Sequence, residues 1–211
     1  MKKNSETTEY KILLLGESGV GKTTLFNRYI SNSVDKNIGS TIGIDFEIKI
    51  LEYKGKKYSI KLFDTAGQER FQGITKNYFR MGDAFLIMFD LSNEYSLKMI
   101  PKWIDLLKEE MDDCKFLILG NKCDLKENLI PNNVIDEYLK NYKNIFIKTS
   151  GLKNKNVDEA FKSLLDLLGN EEINLSNDKE QEIPEYRKTS SFYIKNKNHA
   201  EQKKDKTKRC C

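Results

Sequence analysis

The chain has no apolar run near the ~20 residues a membrane span requires. Its first nine residues are polar, so no secretory hydrophobic segment is expected there either. Both absences point to the cytosol. Histidine is almost missing: His199 stands alone among lysines and asparagines near the end, where it is expected to be solvated. The four cysteines neither spread through the chain as a disulfide framework does nor cluster at metal-ligand spacing. Cys114 and Cys123 lie beside or inside apolar runs and read as small buried residues, while Cys210 and Cys211 are the last two residues. There is no internal repeat.

What is present is enough for one domain with a core: 211 residues, 38% hydrophobic and 32% charged, a globular balance with a highly charged surface. The net charge of +4 hides an asymmetry. Residues 186–209 hold Arg187, Lys188, Lys195, Lys197, Lys203, Lys204, Lys206, Lys208 and Arg209 against only Glu201 and Asp205, so the rest of the chain is mildly acidic. An acidic body with a basic tail argues against a nucleic-acid-binding domain and for an electrostatic handle at one end.

Apolar strand patterns at 11–15, 44–53, 57–63, 85–89, 116–119 and 144–148 alternate with helical patterns at 22–30, 95–111, 131–141 and 156–168. The second and third strands are joined by a tight Lys54–Gly55 turn, which reads as a hairpin. Pro131 sits where a first helical turn tolerates it. This alternation predicts an α/β fold: a doubly wound, mostly parallel six-stranded sheet with one antiparallel strand. Residues 1–9 read as an N-terminal extension, 10–169 as the folded domain, and 170–211, rich in Asn, Lys, Glu and Ser, as a disordered basic tail. Ligands of such sheets bind outside the carboxyl ends of the strands.

Two motifs stand there. Gly16-Glu17-Ser18-Gly19-Val20-Gly21-Lys22-Thr23 matches GxxxxGK[ST] between a strand and a helix. Its glycines let backbone amides wrap a phosphate chain, Lys22 reaches the β- and γ-phosphates, and the Thr23 hydroxyl suits Mg²⁺. Asn121-Lys122-Cys123-Asp124 follows the strand pattern at 116–119. A carboxylate at Asp124 can accept from guanine N1–H and the 2-amino group, a pair that adenine does not offer on that edge. Asn121 and Lys122 brace the loops around it.

These motifs, with Asp64-Thr65-Ala66-Gly67-Gln68-Glu69 between them, resemble those of a Ras-superfamily GTPase, a P-loop NTPase with a G-domain fold. Ile42-Gly43-Ile44-Asp45-Phe46, Arg70-Phe71-Gln72-Gly73-Ile74-Thr75, Tyr78-Phe79-Arg80 and the terminal Cys210-Cys211 narrow the resemblance to the Rab family. The resemblance implies GTP and GDP as substrate and product, Mg²⁺ as cofactor, and nucleotide contacts from Ser18, Gly19, Val20, Gly21, Lys22, Thr23, Thr24, Thr41, Gly67, Asn121, Lys122, Asp124, Ser150, Gly151 and Leu152. It gives the metal to Thr23, Thr41 and Asp64, and catalysis to Gln68, which orients the attacking water, with Lys22 and Thr41. It implies an effector surface of Ile42, Gly43, Ile44, Asp45, Phe46, Phe63, Phe71 and Tyr78, and a double lipid on Cys210 and Cys211. The aromatic-rich stretch 78–89 reads mostly as core packing, with Tyr78, Phe79 and Phe46 as the candidate partner contacts. The implied partners are an exchange factor, an activating protein, effectors, a GDP-dissociation inhibitor, a prenyl-transfer escort and the cytoplasmic face of an intracellular membrane. The protein is expected to be a monomer without nucleic-acid partners.

The chain departs from the family pattern in three places. Phe63 replaces a tryptophan before the DTAG run, and Met81 and Asp83 replace a glycine and an alanine after the Tyr-aromatic-Arg run. Thr149-Ser150-Gly151-Leu152 stands where the family has a Ser-Ala-Lys run. The Gly151 amide can still reach a guanine carbonyl oxygen, and Leu152 can cover a base face but brings no charge. The main reading is a GTPase timer. The alternatives are a catalytically inert, nucleotide-locked tether and a P-loop kinase or ATPase; the last leaves Asp124 and Thr41 without a task.

Overall fold

A computed structural model describes residues 7–33, 44–65, 79–111, 113–127, 129–142 and 146–169. The central strand, β1 (Thr7–Leu15), shows why the sheet is buried on both faces. Ile12 and Leu14 point into one layer of core and Leu13 and Leu15 into the other, each at most 1% exposed. A strand that must satisfy two apolar layers loses polar alternation, hence the continuous run. The strands β4 (Ala84–Asp90) and β5 (Lys115–Asn121) behave alike: Leu86 and Leu117 face the first layer, Phe85 and Phe116 the second.

The sheet order is β2-β3-β1-β4-β5-β6, with β2 (Ile44–Tyr53), β3 (Lys56–Thr65) and β6 (Phe146–Lys148) completing it. Only the β2–β3 pair is antiparallel, with Phe46 opposite Phe63. The expected six strands with one antiparallel member are therefore found. The Lys54–Gly55 hairpin turn is also found. Both residues have positive φ (50° and 72°), the conformation that matches the twist of the flanking strands. A lysine is unfavourable there, and its Nζ bonds Asp166 at 2.7 Å.

Helices α1 (Lys22–Ser31) and α5 (Val157–Leu168) cover one face of the sheet. The Tyr29 ring stacks on Phe161, and Lys49 lies over its other side at 3.9 Å while donating to the Tyr29 carbonyl. The Tyr29 hydroxyl is buried without a partner, and burial pushes its pKa up.

Helices α2 (Glu94–Lys98), α3 (Ile100–Glu110) and α4 (Asn132–Leu139) cover the other face. The single helix expected over 95–111 is two, broken at Met99. Pro101 has no N–H to continue the ladder, and its ring conflicts with the carbonyl four residues back. Asn93 meanwhile caps a separate start, its Oδ1 accepting from Tyr95 and Ser96 amides at 3.1 and 3.4 Å. Pro131 precedes α4 in an extended conformation (ψ 142°) rather than lying in its first turn. β1 begins at Thr7, four residues before the apolar run, because Thr7, Thr8, Glu9 and Tyr10 pair with β3 in a polar stretch that hydropathy does not mark. Cys114 and Cys123 are half-buried, and burial raises both thiol pKa values.

Candidate functional site

The order β3-β1-β4 places successive connections on opposite sides of β1, so a crevice opens at its carboxyl end. The glycine-rich loop starts there. Gly21 adopts φ 95°, open to glycine, and a Cβ on it would come within 2.5 Å of Asn121 Nδ2. Gly21 also starts α1 with no side-chain cap and no acidic residue in the first turn, so the helix's first amides keep their positive potential for an anion. Lys22 is 5% exposed and curls into the loop, donating to the Gly16 and Glu17 carbonyls at 2.7 and 2.8 Å. Ser18 and Gly19 are exposed at the tip, Val20 is buried, and Thr23 and Thr24 are half-buried.

Asp64, next to last in β3, lies beside this loop and is 1% exposed. Its carboxyl accepts a hydrogen bond from the Thr23 side chain, while its Oδ1 is buried with no hydrogen-bond partner. Burial raises its pKa above the ordinary carboxylate value; Thr23 and Lys22 oppose the rise and Asp45 adds to it. An orphaned buried carboxylate oxygen next to a hydroxyl is a fit for a small hard cation. Among the described residues no three His, Cys, Asp or Glu side chains converge; Thr23 and Asp64 would hold Mg²⁺ here, a hard cation that also accepts phosphate and water oxygens. When bound, it would neutralise charge on the phosphate oxygens.

Two strands from β1, β5 delivers the second motif. Asn121 is 2% exposed and joins three segments. Its Nδ2 donates to the Val20 carbonyl at 2.9 Å, and its Oδ1 accepts from Thr149 Oγ1 at 3.3 Å and from the Gly151 amide at 3.2 Å. Lys122, held at φ 65°, pairs with Asp90 at 2.7 Å. The Asp124 Oδ1 accepts from Ser150 Oγ at 2.5 Å, which sets the carboxylate's rotation. Reciprocal backbone bonds between Ser150 and Lys155, both 3.0 Å, close the loop that carries Gly151 and Leu152. The Gly151 amide, expected to face a base, donates to Asn121 in a bond long enough to be shared. Leu152 is 49% exposed, as a residue covering a ligand face would be.

Of the expected effector residues, Ile44 is half-buried, Asp45 exposed and Phe46 48% exposed, with Lys61 Nζ 3.7 Å above its ring. Phe63 is only 4% exposed and lies 5.6 Å from Phe46, so it supports that ring from beneath. Phe79 is a correction: it is 1% exposed, edge-on to Phe85, and belongs to the core. Asp83 bonds both backbone groups of Lys11. Thr41, Ile42, Gly43, Gly67, Gln68, Phe71, Tyr78, Cys210 and Cys211 lie outside the described residues.

Sequence reasoning missed several groups. Glu17, 9% exposed, accepts from Trp103 Nε1 at 3.1 Å and so pins the glycine-rich loop to α3. A glutamate at a variable loop position gives no signal by itself. Ile48 and Ile50, 55% and 61% exposed, continue the Phe46 face at period two, a signal that was legible.

A buried lysine in a glycine-rich loop at the switch point, tied through Asn121 to a carboxylate-bearing loop, defines a P-loop nucleotide-binding domain. Residues 11–170 match the Ras family, and the chain belongs to that family as a small GTPase of the Rab type, an enzyme that hydrolyses GTP. It is 39% identical over 157 residues to Ras-related protein Rab-13 of Bos taurus, covering 74% of this chain and 77% of that one. It is 41% identical to Rab-8B of Homo sapiens over the same span, covering 74% and 76%. It is 39% identical over 161 residues to Rab-10 of Caenorhabditis elegans, covering 75% and 80%.

Proposed function

We propose that this chain is a membrane-anchored switch in vesicle traffic, whose GTP form binds effectors and whose GDP form releases them. The observation that carries the reading is the Asn121 junction, through which one side chain couples the phosphate loop at Val20 to the base loop at Gly151. Such coupling suits a site that must read base and phosphates together. Thr23 and Asp64 are suited to hold Mg²⁺. Family resemblance supports Thr41 and Gly67 as sensors of the γ-phosphate and Gln68 as the group orienting water, as well as effectors, an exchange factor, an activating protein, a GDP-dissociation inhibitor and a prenyl-transfer escort.

The anchor is proposed on sequence grounds. Two prenyl chains on Cys210 and Cys211 hold a membrane where a single chain holds it marginally, and each basic tail residue near an anionic leaflet adds about 1 kcal/mol. No helix among the described residues is long and apolar enough to cross a membrane.

Single-turnover GTP hydrolysis tests the reading. The parent is expected to turn over slowly, on the order of 10⁻⁴ s⁻¹, and Gln68→Leu to be slower still, because leucine cannot hydrogen-bond the attacking water. An inert parent that still binds GTP and GDP tightly would support the nucleotide-locked tether instead. An unchanged rate in Gln68→Leu would remove the water-orienting role.

Leu152 offers a smaller test. Leu152→Lys keeps the methylenes over a base and adds one exposed polar contact, worth about 0.2–1 kcal/mol. Release of a fluorescent GDP analogue is therefore expected to slow by at most about fivefold, with less gain at high salt. Faster release would show that leucine is a packing choice in its own right.

A further inference from the structure

Arg28, on the last turn of α1, places its guanidinium on backbone outside the helix. Its Nε donates to the Gly151 carbonyl at 3.0 Å and its Nη2 to the Leu152 carbonyl at 2.9 Å. Its Nη1 donates to the Asn32 carbonyl at 2.8 Å and to Asn32 Oδ1 at 3.0 Å. Asn32, at φ 53°, closes α1 by returning its amide to the Arg28 carbonyl at 3.1 Å. One planar fork therefore joins the end of α1 to two consecutive carbonyls 123 and 124 positions away.

A second observation fixes the same loop from another direction. A Cβ on Gly151 would lie 3.0 Å from the Leu25 nitrogen and 3.1 Å from its Cα, so the loop rests on the backbone of α1 itself. The Gly151 amide is held by Asn121 on the opposite side. Gly151 thus has its Cα against α1, its N–H on β5 and its carbonyl on Arg28.

We propose that Arg28 is a positioning residue for base recognition, setting through the Gly151 and Leu152 carbonyls where the Gly151 amide meets the 6-position of a guanine. The proposal rests on the guanine-site reading above. Two carbonyls and a helix cap require several donors in one plane, which guanidinium supplies and a lysine ammonium does not.

The test uses the full chain with Mg²⁺ and measures affinities for GDP, ADP, 6-thioguanosine 5′-diphosphate and inosine 5′-diphosphate in parent, Arg28→Lys and Arg28→Met. The thio analogue keeps the N1–H and 2-amino groups that Asp124 would read, but presents sulfur, a weak acceptor, at position 6. The inosine analogue keeps the 6-oxygen and loses the 2-amino group. In Arg28→Met, GDP release is expected to quicken about tenfold, the scale of hydrogen bonds lost from a charged group. The preference for GDP over the thio analogue is expected to shrink, while the preference for GDP over the inosine analogue stays. Arg28→Lys, which keeps charge and stem, is expected to fall between parent and Arg28→Met, and it decides the matter if Arg28→Met does not fold. Parent-like ratios in Arg28→Lys, or both ratios falling together, overturn the proposal, the latter because a general loosening does not distinguish position 6 from position 2. A parent with no preference for GDP over ADP defeats the guanine-site reading itself.

Discussion

Asp124→Asn is expected to convert the protein from guanine to xanthine selectivity, changing the ratio of affinities for GDP and xanthosine diphosphate by about 10³-fold or more. A carboxylate presents two acceptors, which match the N1–H and 2-amino donors of guanine. An amide presents one acceptor and one donor, which match N1–H and the 2-oxygen of xanthine. The structure adds a reason for the amide to settle the right way round. Ser150 Oγ, fully buried, bonds Asp124 Oδ1 at 2.5 Å, and Lys153 N in turn donates to that Oγ at 2.9 Å. Lys153 takes one of the hydroxyl's two lone pairs, and its single O–H is directed at residue 124, where it needs an acceptor. The oxygen of an asparagine then keeps the Ser150 side, and Nδ2 is turned toward the ligand. Competitive displacement by the two diphosphates measures the change, and an intact guanine preference would show that Asp124 is not the base reader.

Thr23→Asn is expected to lower GTP affinity relative to GDP by at least about tenfold at fixed Mg²⁺, because losing the hydroxyl weakens the site for the cation that would offset a triphosphate's extra charge. In the structure Thr23 bonds Asp64, whose other oxygen is buried and unpartnered. Asparagine removes the hydroxyl from this pair and adds bulk beside a residue that is 1% exposed. Lys22 keeps its bonds to the Gly16 and Glu17 carbonyls, which do not involve Thr23, so diphosphate binding is expected to survive. Titrating both nucleotides against parent and variant at several Mg²⁺ concentrations gives the ratio. Equal ratios would remove Thr23 from the metal's ligands.

The strands were legible where one physical demand dominated. β4 and β5 must satisfy apolar layers on both faces, and their uninterrupted apolar residues announce it. The start of β1 was not legible, because Thr7, Thr8 and Glu9 are exposed and held by backbone pairing with β3, which leaves no trace in hydropathy. The break at Met99 was readable in principle from Pro101 and the capping Asn93, but the apolar period runs across it: Leu97, Ile100, Ile104 and Leu107 share one core. Phe79 shows the opposite failure. The sequence sets it apart from a mostly core-packing aromatic stretch as a partner contact, yet its ring is buried against Phe85.

By itself the sequence determined the parallel α/β class, the glycine-rich loop with Lys22 and Thr23, and the carboxylate at Asp124. Each depends on residue types at short, fixed separations, where local backbone geometry carries the chemistry. Only the tertiary structure decided that Asn121 joins Val20 to Gly151, that Glu17 is held by Trp103, and that Arg28 clamps carbonyls 123 and 124 residues away. Those contacts join groups from separate elements, and hydrogen-bond partners at that range are set by how helices and strands pack. No spacing in the chain records them.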